Sequence, residues 1–204
     1  MRIISLFVFL FCISAQATEY PLTINALGSR PNTTHNTNHY EDRGNFGFSL
    51  GIEFEEPLSE SLHFAMGFTI ARRSVQQLLI LDDPLAGGRQ LTVNWNLLHA
   101  EVPVRFLLSI SPNVAIFMGL RFATHLSSSC DYGETASLTA VGVTVPNCGT
   151  GKGFLIPVEF GSHFYLTSKL AFELSYQFSQ SHWIEDEYFD IKIHSFGFGF
   201  RYKL

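Results

Sequence analysis

Residues 46–54 read FGFSLGIEF, and the stretch sorts itself by parity. Phe46, Phe48, Leu50, Ile52 and Phe54 fall on one side of an extended chain, and Gly47, Ser49, Gly51 and Glu53 fall on the other. One face is bulky and wholly apolar and the other is small or charged, so the two faces need different surroundings. The even-numbered residues of 62–70, 98–108, 114–122, 154–164, 170–178 and 196–204 repeat the apolar face, with Ser162 the one polar exception. The odd-numbered positions of the same segments carry His63, Glu101, Arg105, Arg121, Glu159, Glu173 and Arg201. Residues 20–28, YPLTINALG, fit an eighth, weaker strand.

The links between these strands alternate in length. In order they cover 29–45, 55–61, 71–90, 109–113, 123–153, 165–169 and 179–190. Tight turns at one rim and long loops at the other are the signature of an up-and-down membrane barrel. The short links hold turn chemistry in Pro57-Leu58-Ser59, Ser111-Pro112-Asn113 and Thr167-Ser168. Both termini then lie on the short-turn side, which is periplasmic, and the long loops are extracellular. A ten-stranded variant that uses Val75 to Leu81 or Leu138 to Val145 stays open at this stage.

Volume decides which face meets lipid. An eight-stranded barrel has an interior just wide enough for side chains, and the aromatic-rich face is far too bulky for it. The apolar face therefore points outward, and the Gly, Ala and Ser of the other face line a narrow lumen with nearly all the charges that lie within strands. The expected fold is an all-β, eight-stranded antiparallel up-and-down transmembrane β-barrel, closed so that no sheet edge meets hydrocarbon.

The composition agrees. The chain has 204 residues, 46% hydrophobic and 15% charged, with 20 Phe and 16 Gly, which is too apolar for a disordered protein. A formal net charge of −5 argues against a nucleic-acid partner. The one long apolar run, IISLFVFLFCI at residues 3–13, follows Arg2 and precedes Ala15-Gln16-Ala17, the arrangement of a cleaved export signal. Residues 1–17 are expected to be that signal peptide and 18–204 the barrel domain. Cys12 leaves with the signal, and an exported chain with Cys130 and Cys148 remaining most simply pairs them in a disulfide.

Two segments carry a family likeness. LHAEVPVRFLL, residues 98–108, is similar to the strand of small outer-membrane barrels in which an inward acid and a proline sit between outward aliphatics. HSFGFGFRYKL, residues 194–204, resembles their closing strand, with Leu204 where those strands usually end on Phe. The chain thus resembles the small outer-membrane β-barrel superfamily, in the manner of the OmpA transmembrane domain, OmpX and the opacity-type proteins. That resemblance implies a bacterial outer-membrane location. It also implies that Phe196, Phe198, Phe200, Tyr202 and Leu204 form the signal read by the outer-membrane assembly machinery.

The lumen is the place to look for a site. If the 109–113 turn sets a symmetric hairpin, Glu101 lies directly across from Arg121, and the same count around 55–61 pairs Glu53 with His63. Glu159 falls near the level of Arg121, while Arg105, Glu173 and Arg201 form a lower layer. Opposite charges in a confined space favour one another's ionised forms and cross-link strands. With Leu107, Phe117 and Leu155 also inward, the reading is a salt-bridged plug, set against a narrow gated path for ions or solute.

The histidines suggest other chemistry. His35 and His39 would need a helical loop and a third ligand to chelate a metal, so no metal or other cofactor is expected. His125-Leu126-Ser127 and Ser181-His182 place hydroxyls near imidazoles at a rim. A lipid A deacylase needs His-x-Ser-Asn facing lipid, whereas here Ser128 replaces the Asn and His125 has inward parity. No enzymatic activity is expected. The loop 183–188, WIEDEY, combines acid with aromatics and reads as an adhesive or lipid-facing surface.

The function expected is that of an integral outer-membrane barrel with a largely closed lumen, its extracellular loops serving envelope structure or surface interaction. Its partners would be outer-membrane lipids and lipopolysaccharide, the assembly machinery, and a host or surface ligand at the loops. The alternatives are a lipid A-modifying enzyme, a narrow channel, and a secreted lipocalin-like binder, which would need the bulky face turned inward.

Overall fold

A computed structural model describes residues 19–34, 40–80, 90–132, 150–151, 153–179, 183–185 and 190–204. Eight long strands make the wall: β1 (Pro21–Thr34), β2 (Tyr40–Pro57), β3 (Leu62–Ile80), β4 (Gln90–Ser111), β5 (Val114–Tyr132), β6 (Val158–Tyr165), β7 (Leu170–Phe178) and β8 (Asp190–Lys203). Each pairs antiparallel with the next. The ring closes where β8 returns to β1, from Pro21 opposite Lys203 to Thr34 opposite Asp190. Three two-residue pieces, Thr150–Gly151, Phe154–Leu155 and Ile184–Glu185, add to this sheet. No helix among the described residues is long and apolar enough to cross a membrane; the strands are the candidates for that.

Burial follows parity. Phe46, Phe48, Leu50, Ile52, Met118 and Phe198 are exposed on the outside, whereas Ser49, Glu53, Thr69, Glu101, Arg105 and Glu173 are buried within. A soluble barrel would place these groups the other way round.

The short turns are built as their residues dictate. Ser59 Oγ accepts the Leu62 N–H at 3.1 Å, and Thr167 Oγ1 accepts those of Lys169 and Leu170 at 3.2 and 3.0 Å. These are local side-chain bonds that favour turns over a continued ladder. Prolines interrupt the sheet where their missing N–H requires it. Pro157 separates Phe154–Leu155 from β6, and the β3–β4 ladder lapses between Met66/Val104 and Thr69/Glu101, the gap that holds Pro103.

The long-loop side differs from expectation. β3 runs on to Ile80, β5 to Tyr132, and β1 and β2 through much of 29–45. Much of the expected loops 71–90 and 123–153 is therefore barrel wall. With 22 residues, β4 is ~70 Å long at ~3.3 Å per residue, about twice what a bilayer needs. Above the apolar slab both faces of a strand can be polar, so Arg72 to Gln77 reads as loop in sequence yet continues the strand. Val75 to Ile80 is thus the end of β3 and not an extra strand, and the ring has eight strands. The Leu138–Val145 segment lies outside the described residues.

Two register shifts sit at the base of this extension. One falls between Gly44 and Phe48 of β2 and the other between Leu98 and His99 of β4, where Ser127 and His125 of β5 are the respective partners. Leu126 is the extra residue of a bulge, and a bulge reverses parity along its strand. Above it Ser128 and Cys130 face the buried Leu97 and Trp95 across the ladder. Cys130 packs against an apolar cluster of Val75, Val93, Trp95, Leu97, Trp183 and Ile191 that fills the upper lumen.

Candidate functional site

Beneath the upper cluster, buried charged pairs run down the barrel axis. Trp183 stands at the top with its ring 4.6 Å from the Arg73 guanidinium and edge-on to His99 at 4.7 Å. Arg73 ion-pairs with Glu101 and donates from Nη2 to Gln177 Oε1 at 2.6 Å. Glu101 accepts from Arg121 Nη1 at 2.8 Å, and Arg121 Nη2 reaches Glu159 at 2.7 Å. Arg105 is the hub of the next layer. It holds Glu159 through Nε and Nη2 at 2.8 and 2.9 Å and contacts Glu53 at 3.0 Å and Glu173 at 3.3 Å from Nη1. Its guanidinium also lies 4.6 Å over the Phe117 ring.

At the lower end Arg201 bridges Glu53 at 3.4 Å and Glu55 at 2.7 Å, and His63 Nδ1 meets Glu55 at 2.9 Å. His163 Nε2 donates to Glu173 at 3.1 Å, and Asn25 Nδ2 donates to the same carboxylate at 3.2 Å. Between the short turns a cavity of about 370 Å³ opens, lined by Glu55, His63, Asn113, Tyr165 and Lys203 among others.

All four arginines and all five glutamates are at most 3% exposed. A buried ion costs several kcal/mol unless it is paired and hydrogen-bonded. Every one of these nine has at least one opposite charge in contact. The space they need comes from glycine. Gly119 lies opposite Arg105, and a Cβ there would sit 2.1 Å from the Val104 carbonyl oxygen.

The structure brings together Glu53, Glu101, Arg105, Arg121, Glu159, Glu173 and Arg201, with two of the sequence pairings changed. Arg121 lies opposite Pro103, and Glu101 opposite Ala123, because the turn is centred later, on Pro112-Asn113, with a register shift between Ser109 and Ser111. Arginine's length lets Arg121 reach Glu101 diagonally. Glu53 faces Gly67 and does not pair with His63, whose partner is Glu55; β2 runs through Pro57, so the turn sits lower. Arg105 spans what reads in sequence as two layers. Arg73 and Glu55 escape the sequence reading because each was assigned to a link between strands, although odd parity continued past Ile70 marks Arg73 as inward.

The other candidates are placed as follows. His125 lies opposite His99, with ring centroids 5.2 Å apart, and Ser127 and Ser128 lie beyond the bulge. Trp183 is buried in the upper lumen, which overturns the reading of its side chain as part of an adhesive or lipid-facing surface. Its ring finds an apolar cluster and an arginine there, a better environment than water. His35, His39, Ser181, His182, Cys148 and residues 186–188 lie outside the described residues. Among the described residues no group of three or more His, Cys, Asp or Glu is arranged to hold a metal ion.

No protein-family model matches the chain, and no curated protein sequence does. Solved structures do. The Neisserial surface protein A superposes with a TM-score of 0.52 at 12% identity, over 91% of this chain and 97% of that one. The outer membrane protein OprG from Pseudomonas aeruginosa gives 0.52 at 11% identity, over 92% and 96%. At such identities the likeness concerns the backbone, and the chain has the fold of the small outer-membrane β-barrels, with eight strands closed into one ring.

Proposed function

We propose that this chain is an integral protein of a bacterial outer membrane. In this reading its barrel is a sealed anchor, and its working surface is the long-loop face, which serves envelope structure or contact with an external ligand. The observation that carries it is the unbroken run of buried ion pairs from Arg73 to Glu55, roofed by Trp183 and Trp95. A path for solute needs water along its axis, and here the axis is occupied by guanidinium and carboxylate groups bonded to one another. The outward apolar face supports contact with lipid on all sides. The reading includes export through a cleaved leader at residues 1–17, recognition of residues 196–204 by the assembly machinery, and a Cys130–Cys148 bridge tying the third long loop to the upper wall.

Planar-bilayer recording of the refolded chain tests the seal. The expected result is no steady conductance from the wild type, with openings appearing in Glu101→Gln, where Arg73 and Arg121 lose their shared partner. A steady wild-type conductance overturns the sealed-anchor reading. Recovery of the native protein in the soluble periplasm without detergent overturns the membrane assignment itself.

A further inference from the structure

The outer face of the β1–β8 seam carries basic groups where an apolar protein surface should simply meet lipid tails. Arg30 on β1 and His194 on β8 are direct cross-strand partners, and Lys192 lies two residues further up β8, opposite Asn32. Outward parity puts all three side chains on the lipid side, at the long-loop end. Among the described residues neither Arg30 nor Lys192 has a carboxylate in ion-pair contact. A hollow of about 270 Å³ lies between Arg30, Pro31, Asn32, Asp42 and His194. Asp42 borders it too, its Oδ1 receiving Gln77 Nε2 at 3.4 Å.

Lower on the outer surface, across β8 from the hollow, a groove of about 380 Å³ runs over β6, β7 and β8, walled by Phe160, Leu174, Tyr176, Phe196 and Phe198, with Ser162 in its lining. The two features are joined. The Tyr176 hydroxyl hydrogen-bonds His194 Nδ1 at 2.6 Å, and the Tyr176 ring packs on Phe196 at 4.7 Å between centroids. With Nδ1 engaged, it is Nε2 of His194 that would meet a phosphate.

We propose that this seam is a binding site for a phosphorylated, multiply acylated glycolipid of the lipid A type, with a phosphate at Arg30, Lys192 and His194 and one acyl chain in the aromatic groove. The inference rests on the membrane reading above and adds a specific occupant to it. Charge complementarity selects the occupant. Two cations about 7 Å apart along the strands outnumber the one carboxylate at the hollow, Asp42, which accepts from Gln77, and suit a headgroup with net negative charge. A zwitterionic phospholipid would bring its own amine against them. The groove then takes a chain where scattered surface aromatics would not.

The test uses the full chain folded into phosphatidylethanolamine vesicles doped with bisphosphorylated lipid A or with its dephosphorylated form. Lipid retained on extraction into mild detergent is read by native mass spectrometry. Wild type is expected to retain the phosphorylated lipid in preference to both others. Arg30→Gln with Lys192→Gln should lower retention about twenty-five-fold, at about fivefold per cation. Arg72→Gln, which removes an outward charge bonded to Asn96 on other strands, should leave retention unchanged. Ser162→Phe, which fills the groove, should weaken retention while keeping its dependence on phosphate. Equal retention of the dephosphorylated form, or an equal loss in Arg72→Gln, overturns the site. Failure of the wild type to insert, read as complete protease digestion in the vesicles, brings down the membrane reading as well.

Discussion

Arg105 holds Glu159 side-on, Nε to Oε2 at 2.8 Å and Nη2 to Oε1 at 2.9 Å, across a sequence separation of 54 residues. The same guanidinium serves Glu53 and Glu173. Arg105→Met therefore leaves three buried carboxylates short of a partner, and stability should fall by about 3–5 kcal/mol. Arg105→Lys should recover little of it, since an ammonium cannot make the paired contact. Urea unfolding in vesicles measures both, and an unchanged midpoint in Arg105→Met would refute the hub role.

Gly119 makes room for that hub. Gly119→Ala should cost about 1–3 kcal/mol, because the new Cβ would collide with the Val104 carbonyl and the Arg105 backbone. Gly153, with nothing within 4 Å of an added Cβ, is the matched control, and Gly153→Ala should stay within about 0.5 kcal/mol.

The outward face can be probed with a single charge. Met118 is 66% exposed. On a water-soluble surface Met118→Arg would be nearly neutral, within about 0.5 kcal/mol. On a lipid-facing strand near mid-membrane it should destabilise by about 2–4 kcal/mol. A neutral result in vesicles would place this face in water.

Trp183 roofs the lumen from the link between β7 and β8, tied to Ile191 by its backbone N–H and packed on Arg73 of β3 and His99 of β4. Trp183→Ala should lower stability by about 3–5 kcal/mol, the usual cost of removing a buried indole. Bilayers should remain silent, because the ion pairs below are untouched. Conductance in this variant would move the seal from the charges to the roof.

The proposed Cys130–Cys148 bridge should appear as a mobility difference between reduced and unreduced protein that vanishes in Cys130→Ser. Reduction should cost about 3 kcal/mol on the loop-closure scaling. Free thiols in the freshly extracted native protein would contradict the pairing.

The barrel was legible in sequence wherever a strand has one bulky apolar face and one small or charged face, because parity records the difference. It became illegible at Arg72-Arg73-Ser74, where the wall rises out of the apolar zone and water tolerates polar groups on both faces. Register was harder still. A hairpin's pairing depends on where the turn begins, and the tight turn at Pro112-Asn113 moves Arg121 from opposite Glu101 to opposite Pro103. The luminal charges could be identified as a set because few other places would accept them. Their individual partners could not be read, since a long arginine chooses among carboxylates by reach as much as by register.

The partners of the luminal charges also bear on the order of assembly. Arg201 of β8 finds its acids on β2, and Arg105 of β4 finds its own on β2, β6 and β7. These strands do not adjoin in the sheet, so an open, half-built sheet holds these two arginines without the acids that neutralise them. They meet only as the curling sheet brings its first and last strands together. A sheet stalled before that moment leaves Arg105, Arg201, Glu53, Glu55 and Glu173 without the ion pairs of the closed ring, whereas Arg73, Glu101, Arg121 and Glu159 keep partners on adjacent strands. On the membrane reading proposed above, closing the ring is therefore also the step that pairs these five charges.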